Sequence, residues 1–222
     1  MGTVSDIVTQ VKYQTGVDTA YDDKIIAGIN WAQQQVTAVK FMFLQETTTL
    51  TLTAGTIQYN LPVSFNAPYQ FVLVEETAYY DLVPGTIYDI WLNPQAAQGR
   101  PKCYSIAGVS GIYNTVYIGC PTANKGYSVR CSYFRALATL TASSTSEVST
   151  YYKDNPLISG AVYRLWKSME RQQFADASYQ EFLSDMRIMC SEKDFIGPSY
   201  DEIIARNMSE KILPQGKINE EP

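Results

Sequence analysis

The hydrophobic period of this chain switches twice. Both flanks repeat their apolar residues at the helical spacing of three and four, and the middle alternates with a period of two. That change of period predicts an α+β chain in which N- and C-terminal helix pairs close a bundle around an inserted antiparallel β domain, followed by a C-terminal extension. With 45% hydrophobic residues in 222, there is enough apolar material for a core that buries roughly 70% of the unfolded chain's surface.

In the first flank, Thr3 caps a helix, with Asp6 completing a capping box. Val4, Ile7, Val8 and Val11 form its apolar stripe, and Gly16 ends it. Asp22 is placed as the cap of a second, longer helix, with Asp23 in its first turn. Its apolar face runs through Ile25, Ile26, Ile29, Ala32, Val36 and Val39, and Gln33-Gln34-Gln35 is assigned to a solvated or partner-facing side.

The period changes near Phe43. Thr47–Thr53 and Ile57–Leu61 alternate around Ala54-Gly55-Thr56, which predicts a β-hairpin. Pro62 and Pro68 bracket an expected loop. Phe71–Val74, Cys103–Ile106, Val116–Ile118 and Tyr127–Phe134 read as strands, while Ile87–Leu92 fits a short helix or a strand. Five acids and five bases cancel from Phe43 to Leu137. The expected domains are 1–42 with 151–191 for the bundle, 43–138 for the β insertion, 139–150 for a Ser/Thr-rich linker, and 192–222 for the extension.

The second flank opens on Asp154-Asn155-Pro156, a helix start with proline at its first turn. Leu157, Ile158, Ala161, Val162, Leu165, Trp166 and Met169 give that helix its apolar face. A break is expected around Gln172–Ala175, before a helix carrying Tyr179, Phe182, Leu183, Met186 and Cys190. The stretch from Glu192 onward has seven acids and four bases. Tyr200, Ile203 and Ile204 make a short apolar stripe within it.

Groups suited to chemistry are scarce. There is no histidine, and Cys103, Cys120, Cys131 and Cys190 fit no zinc spacing, so the sequence predicts neither metal nor cofactor. The cysteines read as reduced thiols packed as small hydrophobes. Glu75 and Glu76 are neighbours on a strand and point to opposite faces, which prevents them from sharing a proton. Asp22-Asp23 and Asp201-Glu202 belong to helix starts. A serine or cysteine nucleophile would find no histidine base. The expectation is a protein that is not an enzyme.

The balance of 17 basic against 22 acidic residues, net −5, argues against strong nucleic-acid binding but suits a wall past which DNA slides. No apolar run approaches the ~20 residues that span a bilayer. The N-terminal residues match neither a signal peptide nor a myristoylation site, so synthesis in a reducing cytoplasm without membrane attachment is expected. Tyr79-Tyr80, and Tyr88 with Trp91, are suited to stacking on sugar rings or bases, to anchoring a protein interface, or to half-buried strand packing.

The order of these segments resembles a known family. Asp22-Asp23-x-Ile-Ile-x-x-Ile-Asn-x-Ala-Gln33 precedes Ala54-Gly55-Thr56-x-x-Tyr59-x-Leu61-Pro62. Then come Gly99-Arg100-Pro101 before Tyr104, a β segment ending at Tyr133, Leu140-Thr141, and a helix after Tyr151-Tyr152. Over residues 3 to 190 this is similar to the head-to-tail adaptor proteins of tailed bacteriophages, particularly the short-tailed ones. The histidine usual near the start of the family's third helix is missing here.

The resemblance implies a structural virion protein at the head-tail interface. It implies a homo-oligomeric ring, commonly of twelve copies, docked on the portal protein, with the β domain toward the tail or nozzle protein. Phage DNA would cross the lumen without specific binding. The extension would grip the portal, with Phe195, Ile196, Tyr200, Ile203 and Ile204 as anchors. The competing expectation is a carbohydrate- or receptor-binding virion module that uses Tyr79, Tyr80 and Trp91 of the β domain.

Overall fold

The computed structural model describes residues 3–87, 90, 100–109, 112–119 and 126–195. The chain is α+β and forms two compact units. One is helical and takes its chain from both sides of the other, from residues up to 43 and from 139 onward. The second unit, residues 44–138, is built from strands.

In the helical unit, α1 (Val4–Thr15) starts with the expected capping box. The Asp6 N–H donates to Thr3 Oγ1 at 3.4 Å, and the Thr3 N–H donates to the Asp6 carboxylate at 2.6 Å. Gly16 closes the helix in the left-handed region at φ 70°, where its N–H reaches the Lys12 carbonyl. Val4, Ile7, Val8 and Val11 are buried, as their spacing requires.

α2 (Asp22–Val39) begins differently from the reading above. Asp18 caps a preceding 3-10 turn (Thr19–Tyr21), accepting the Ala20 N–H at 3.0 Å. Asp22 lies inside the first turn of α2 and pairs with Lys12 Nζ at 2.8 Å. The capping role passes upstream because the turn makes Asp22 helical already, and a helical residue cannot cap its own helix.

α3 (Glu147–Tyr151) interrupts the expected Ser/Thr-rich linker. Ser146 caps it, accepting the Val148 N–H at 3.2 Å, while Val148, Ser146 and Leu140 are buried. Serine and threonine are common in linkers, yet here they serve as caps, which their composition alone does not reveal. α4 (Asn155–Ser168) starts on the expected proline. The break before α5 (Gln172–Glu192) lies at Met169–Arg171, one turn earlier than expected, with Glu170 at φ 58°. Gln172–Ala175 is already helical because Ala175 is needed on the buried face.

Small residues set the spacing of α2 and α4. A Cβ on Gly160 would stand 2.6 Å from Ala32 Cβ, and one on Gly28 would stand 2.9 Å from Ala161 Cα. The two helices touch backbone to backbone there, closer than larger side chains allow.

The strand unit holds β1 (Gln45–Thr51), β2 (Gln58–Asn60), β3 (Phe65–Glu75), β4 (Ala78–Asp81), β5 (Val83–Pro84), β6 (Cys103–Val109), β7 (Ile112–Ile118) and β8 (Ser128–Arg135). One sheet runs β1-β8-β3-β4 and the other β2-β7-β6-β5. All described pairings are antiparallel except β5 with β6. Their facing sides share one core, including Phe71, Leu73, Tyr104, Ile118, Val129 and Cys131, with the Phe71 and Tyr104 rings 4.4 Å apart.

The hairpin expected at Ala54-Gly55-Thr56 does not form. β1 pairs with β8 and β2 pairs with β7, so the turn carries the chain from one sheet to the other. Alternation identifies the apolar face of each segment, Leu50 and Leu52 here, but not the strand beside it. The loop expected between Pro62 and Pro68 is also strand from Phe65 onward. Pro68 sits opposite Tyr133 between two register shifts, where β4 has not yet begun and no ladder partner needs its missing N–H. The Ile87–Leu92 segment falls largely outside the described residues.

Candidate interaction surfaces

The outer face of β1-β8-β3-β4 follows from the registers. Thr49, Arg130, Val72 and Asp81 form one cross-strand row, and Thr47, Ser132 and Gln70 form the next. All of these except Thr49, together with Tyr79, line an open depression of about 480 Å³. Gln70 Nε2 donates to Asp81 Oδ1 at 2.9 Å, and the Arg130 guanidinium stands 5.6 Å from the Tyr79 ring.

Tyr79 and Tyr80 do not make a common platform. Tyr79 is 60% exposed on this outer face, whereas Tyr80 turns to the opposite face, packs against the core, and carries Arg100 3.9 Å above its ring. Trp91 and Tyr88 lie outside the described residues.

Asp201 and Glu202 lie outside the described residues; the other acidic candidates have structural work. Glu75 accepts the Tyr127 hydroxyl at 3.1 Å, and Glu76, at φ 53°, sits in the turn between β3 and β4. Burial first, and then that hydrogen bond, raises the Tyr127 pKa. Glu46 accepts the Tyr133 hydroxyl at 2.9 Å and pairs with Arg135 Nε at 3.0 Å. Among the described residues no group of three or more Cys, Asp or Glu is placed to hold a metal ion, and no helix is long and apolar enough to cross a membrane.

The Cys131 thiol is free and buried in the strand unit's core, where desolvation pushes its pKa up to about 12. That leaves it protonated and poorly nucleophilic.

In the helical unit, aromatic residues cluster along α2, α4 and α5. The Trp31 ring lies 5.3 Å from Tyr163 and 5.1 Å from Phe182, and Tyr163 lies 4.8 Å from Tyr179. Arg164 sits 5.5 Å from the Trp31 ring, and Lys167 sits 5.5 Å from Tyr163, whose hydroxyl oxygen accepts from Lys167 Nζ at 3.1 Å. Burial, reinforced by Tyr163, raises the Tyr179 pKa, so its phenol stays neutral.

On another side of α4, a concavity of about 160 Å³ is lined by Gln10, Gln14, Asn155, Ser159, Glu181 and Asp185. The Ser159 hydroxyl donates to Asp185 at 2.7 Å. Gln33 belongs to neither surface. It is 3% exposed and accepts the buried Ser146 hydroxyl at 3.2 Å, so the triple-glutamine stretch has one member in the core.

Phe195 is seated on the helical unit. It makes a β-bridge with Phe41, its ring lies 6.0 Å from that of Phe41, and the preceding Asp194 carbonyl accepts the Met42 N–H at 3.1 Å. Beside it, Phe43 stacks on Tyr151 at 4.0 Å, and Lys193 lies 4.9 Å from the Tyr151 ring. Ile196, Tyr200, Ile203 and Ile204 lie outside the described residues.

A family model described as SU10 adaptor protein matches residues 2–198. The chain belongs to the SU10 adaptor protein family. Its members are structural phage proteins, so the chain is a structural adaptor of the virion that works against other virion components. No curated protein matches it.

This SU10 adaptor presents three candidate surfaces: the depression on the β1-β8-β3-β4 sheet, the aromatic and cationic face of α2 and α4, and the concavity beside α4. Sequence reasoning missed two of them. Tyr163, Arg164 and Lys167 sit just off the apolar stripe of α4, where exposed cations read as solvent-facing. Their alignment with Trp31 depends on the α2–α4 crossing at Gly28 and Gly160. The available signal was glycine inside two otherwise regular helices, which marks a close approach.

Proposed function

We propose that this SU10 adaptor forms a ring, of twelve copies, between the portal protein and the tail or nozzle protein, around the passage through which phage DNA leaves the head. The helical unit packs between neighbours and toward the portal, and the β domain faces the tail. The chain is made in the host cytoplasm and carried into the virion at the head-tail interface.

The family match supports an adaptor role. The observation that carries the portal reading is the seat of Phe195. Phe195 is held against Phe41 on the bundle, and with it Ile196, Tyr200, Ile203 and Ile204, which follow in the sequence, supply the apolar anchors for a groove on the portal. An extension that orders on docking contributes affinity only when the groove is present, and many copies around one axis make weak contacts collectively strong. The net charge of −5 disfavours DNA capture and suits passage without specific binding.

The test is truncation after Phe195, which leaves every described contact of the bundle in place. The shortened chain keeps its helical circular dichroism and loses co-sedimentation with the portal ring. Normal co-sedimentation of the truncated chain overturns the anchoring role.

A further inference from the structure

The helical unit presents two faces of opposite character. Toward α2, half-buried Trp31, Tyr163 and Tyr179 surround Arg164 and Lys167. Neither cation forms an ion pair with a described residue. Tryptophan, tyrosine and arginine together are the residue types that anchor protein interfaces. Toward α1, Gln10, Gln14, Asn155 and Ser159 line the concavity with Glu181 and Asp185, and no cation lines it. α4 contributes to both faces, Tyr163–Lys167 to one and Asn155 and Ser159 to the other.

Neither face can pair with its own kind. Two Arg164–Lys167 faces brought together juxtapose like charges, and so do two Glu181–Asp185 concavities. Each suits the other. A subunit with two different, mutually complementary faces makes head-to-tail contacts, the class that closes into rings when the rotation per step permits. Nucleic acid is a poorer occupant of the cationic face. Two cations release few counterions, and the chain around them is net −5.

We infer that the Trp31–Tyr163 face of one copy, through Arg164 and Lys167, docks on the concavity of the next copy that carries Glu181 and Asp185. The inference rests on the ring reading above and names the surfaces that make the ring.

Charge reversal in two differently tagged full-length chains tests it. R164E/K167E reverses one face. Q14K/E181K reverses the other at exposed positions and spares the Ser159–Asp185 hydrogen bond. Each variant, mixed with the portal ring, is read by native mass for the number of bound copies.

Either variant alone juxtaposes like charges at every contact and loses ring formation by roughly tenfold or more in midpoint concentration. An equimolar mixture restores it, because an alternating ring pairs each reversed face with its reversed complement and leaves the remaining contacts native. If reversal lowers the thermal midpoint of the bundle, R164Q/K167Q keeps long side chains near the rings, removes the attraction without adding repulsion, and reads a smaller loss in the same direction.

Rings from either variant alone at wild-type concentration overturn the pairing, as does a mixture that stays unassembled while both chains are folded. Retained rings with lost binding of double-stranded DNA in R164E/K167E assign that face to nucleic acid instead. Failure of the wild-type chain to form rings on the portal refutes the ring reading itself, which a variant-specific loss does not.

Discussion

Gly160→Ala opposes two effects whose signs differ. Helix propensity favours alanine over glycine in a helix interior by about 1 kcal/mol. Packing opposes it. The new Cβ would lie 2.6 Å from Ala32 Cβ and 3.1 Å from a Phe182 ring carbon, and both neighbours are fully or almost fully buried. Neither neighbour is the far end of a flexible chain, so relief requires α2 and α4 to separate. Overpacking of this kind costs roughly 1–3 kcal/mol, and the short contact places it at the upper end. The net expectation is destabilisation by about 2 kcal/mol, the overpacking cost less the propensity gain.

Urea unfolding followed by helical circular dichroism measures this change, since the described helices longer than a single turn lie in one unit. Ala32→Gly in the same chain removes one of the clashing atoms. The double variant is then less destabilised than the sum of the singles, by roughly 1 kcal/mol of coupling. Stabilisation of Gly160→Ala by the propensity gain alone, with no coupling to Ala32, refutes the close-contact account of the α2–α4 crossing.

Ser146→Ala removes both the cap of α3 and the buried hydroxyl that donates to Gln33, and is expected to cost about 1–3 kcal/mol in the same unfolding assay. Cys131 resists alkylation by iodoacetamide at pH 8 until the strand unit is unfolded, which mass spectrometry of timed samples reads out. Because its folded pKa is raised to about 12, its contribution to stability is fully present below the unfolded thiol's pKa. That contribution declines as pH rises from about 8.5 toward 12. Replacing Cys131 with alanine removes that part of the alkaline slope.

The sequence carried the α+β plan because period is a local property. Val4, Ile7, Val8 and Val11 follow one face of a helix whatever lies opposite, and the Thr3–Asp6 capping box and Gly16 terminator act within a few residues. Partnership is not local. Leu50 and Leu52 announce an apolar strand face, but the pairing of β1 with β8 joins residues about eighty positions apart, and the turn at Gly55 looked equally suited to a hairpin.

The buried pair Gln33–Ser146 escaped for the same reason. Two polar residues 113 positions apart read as surface until the fold places each as the other's partner. Of the residues proposed to dock on the portal, Phe195 lies on Phe41, a contact with no signature in the sequence around it. The cationic face is assembled from Trp31 on one helix and Arg164 and Lys167 on another. Only the glycines that let those helices touch hinted at it.

The most direct test of the adaptor account is the mass of the complex formed when the full chain is mixed with the portal ring of its own phage. The account predicts one discrete species with one adaptor copy per portal subunit, formed cooperatively and depleted of partial rings. A portal that stays unliganded at all adaptor concentrations, with the chain found in virions only on fibres or at the tail tip, contradicts it.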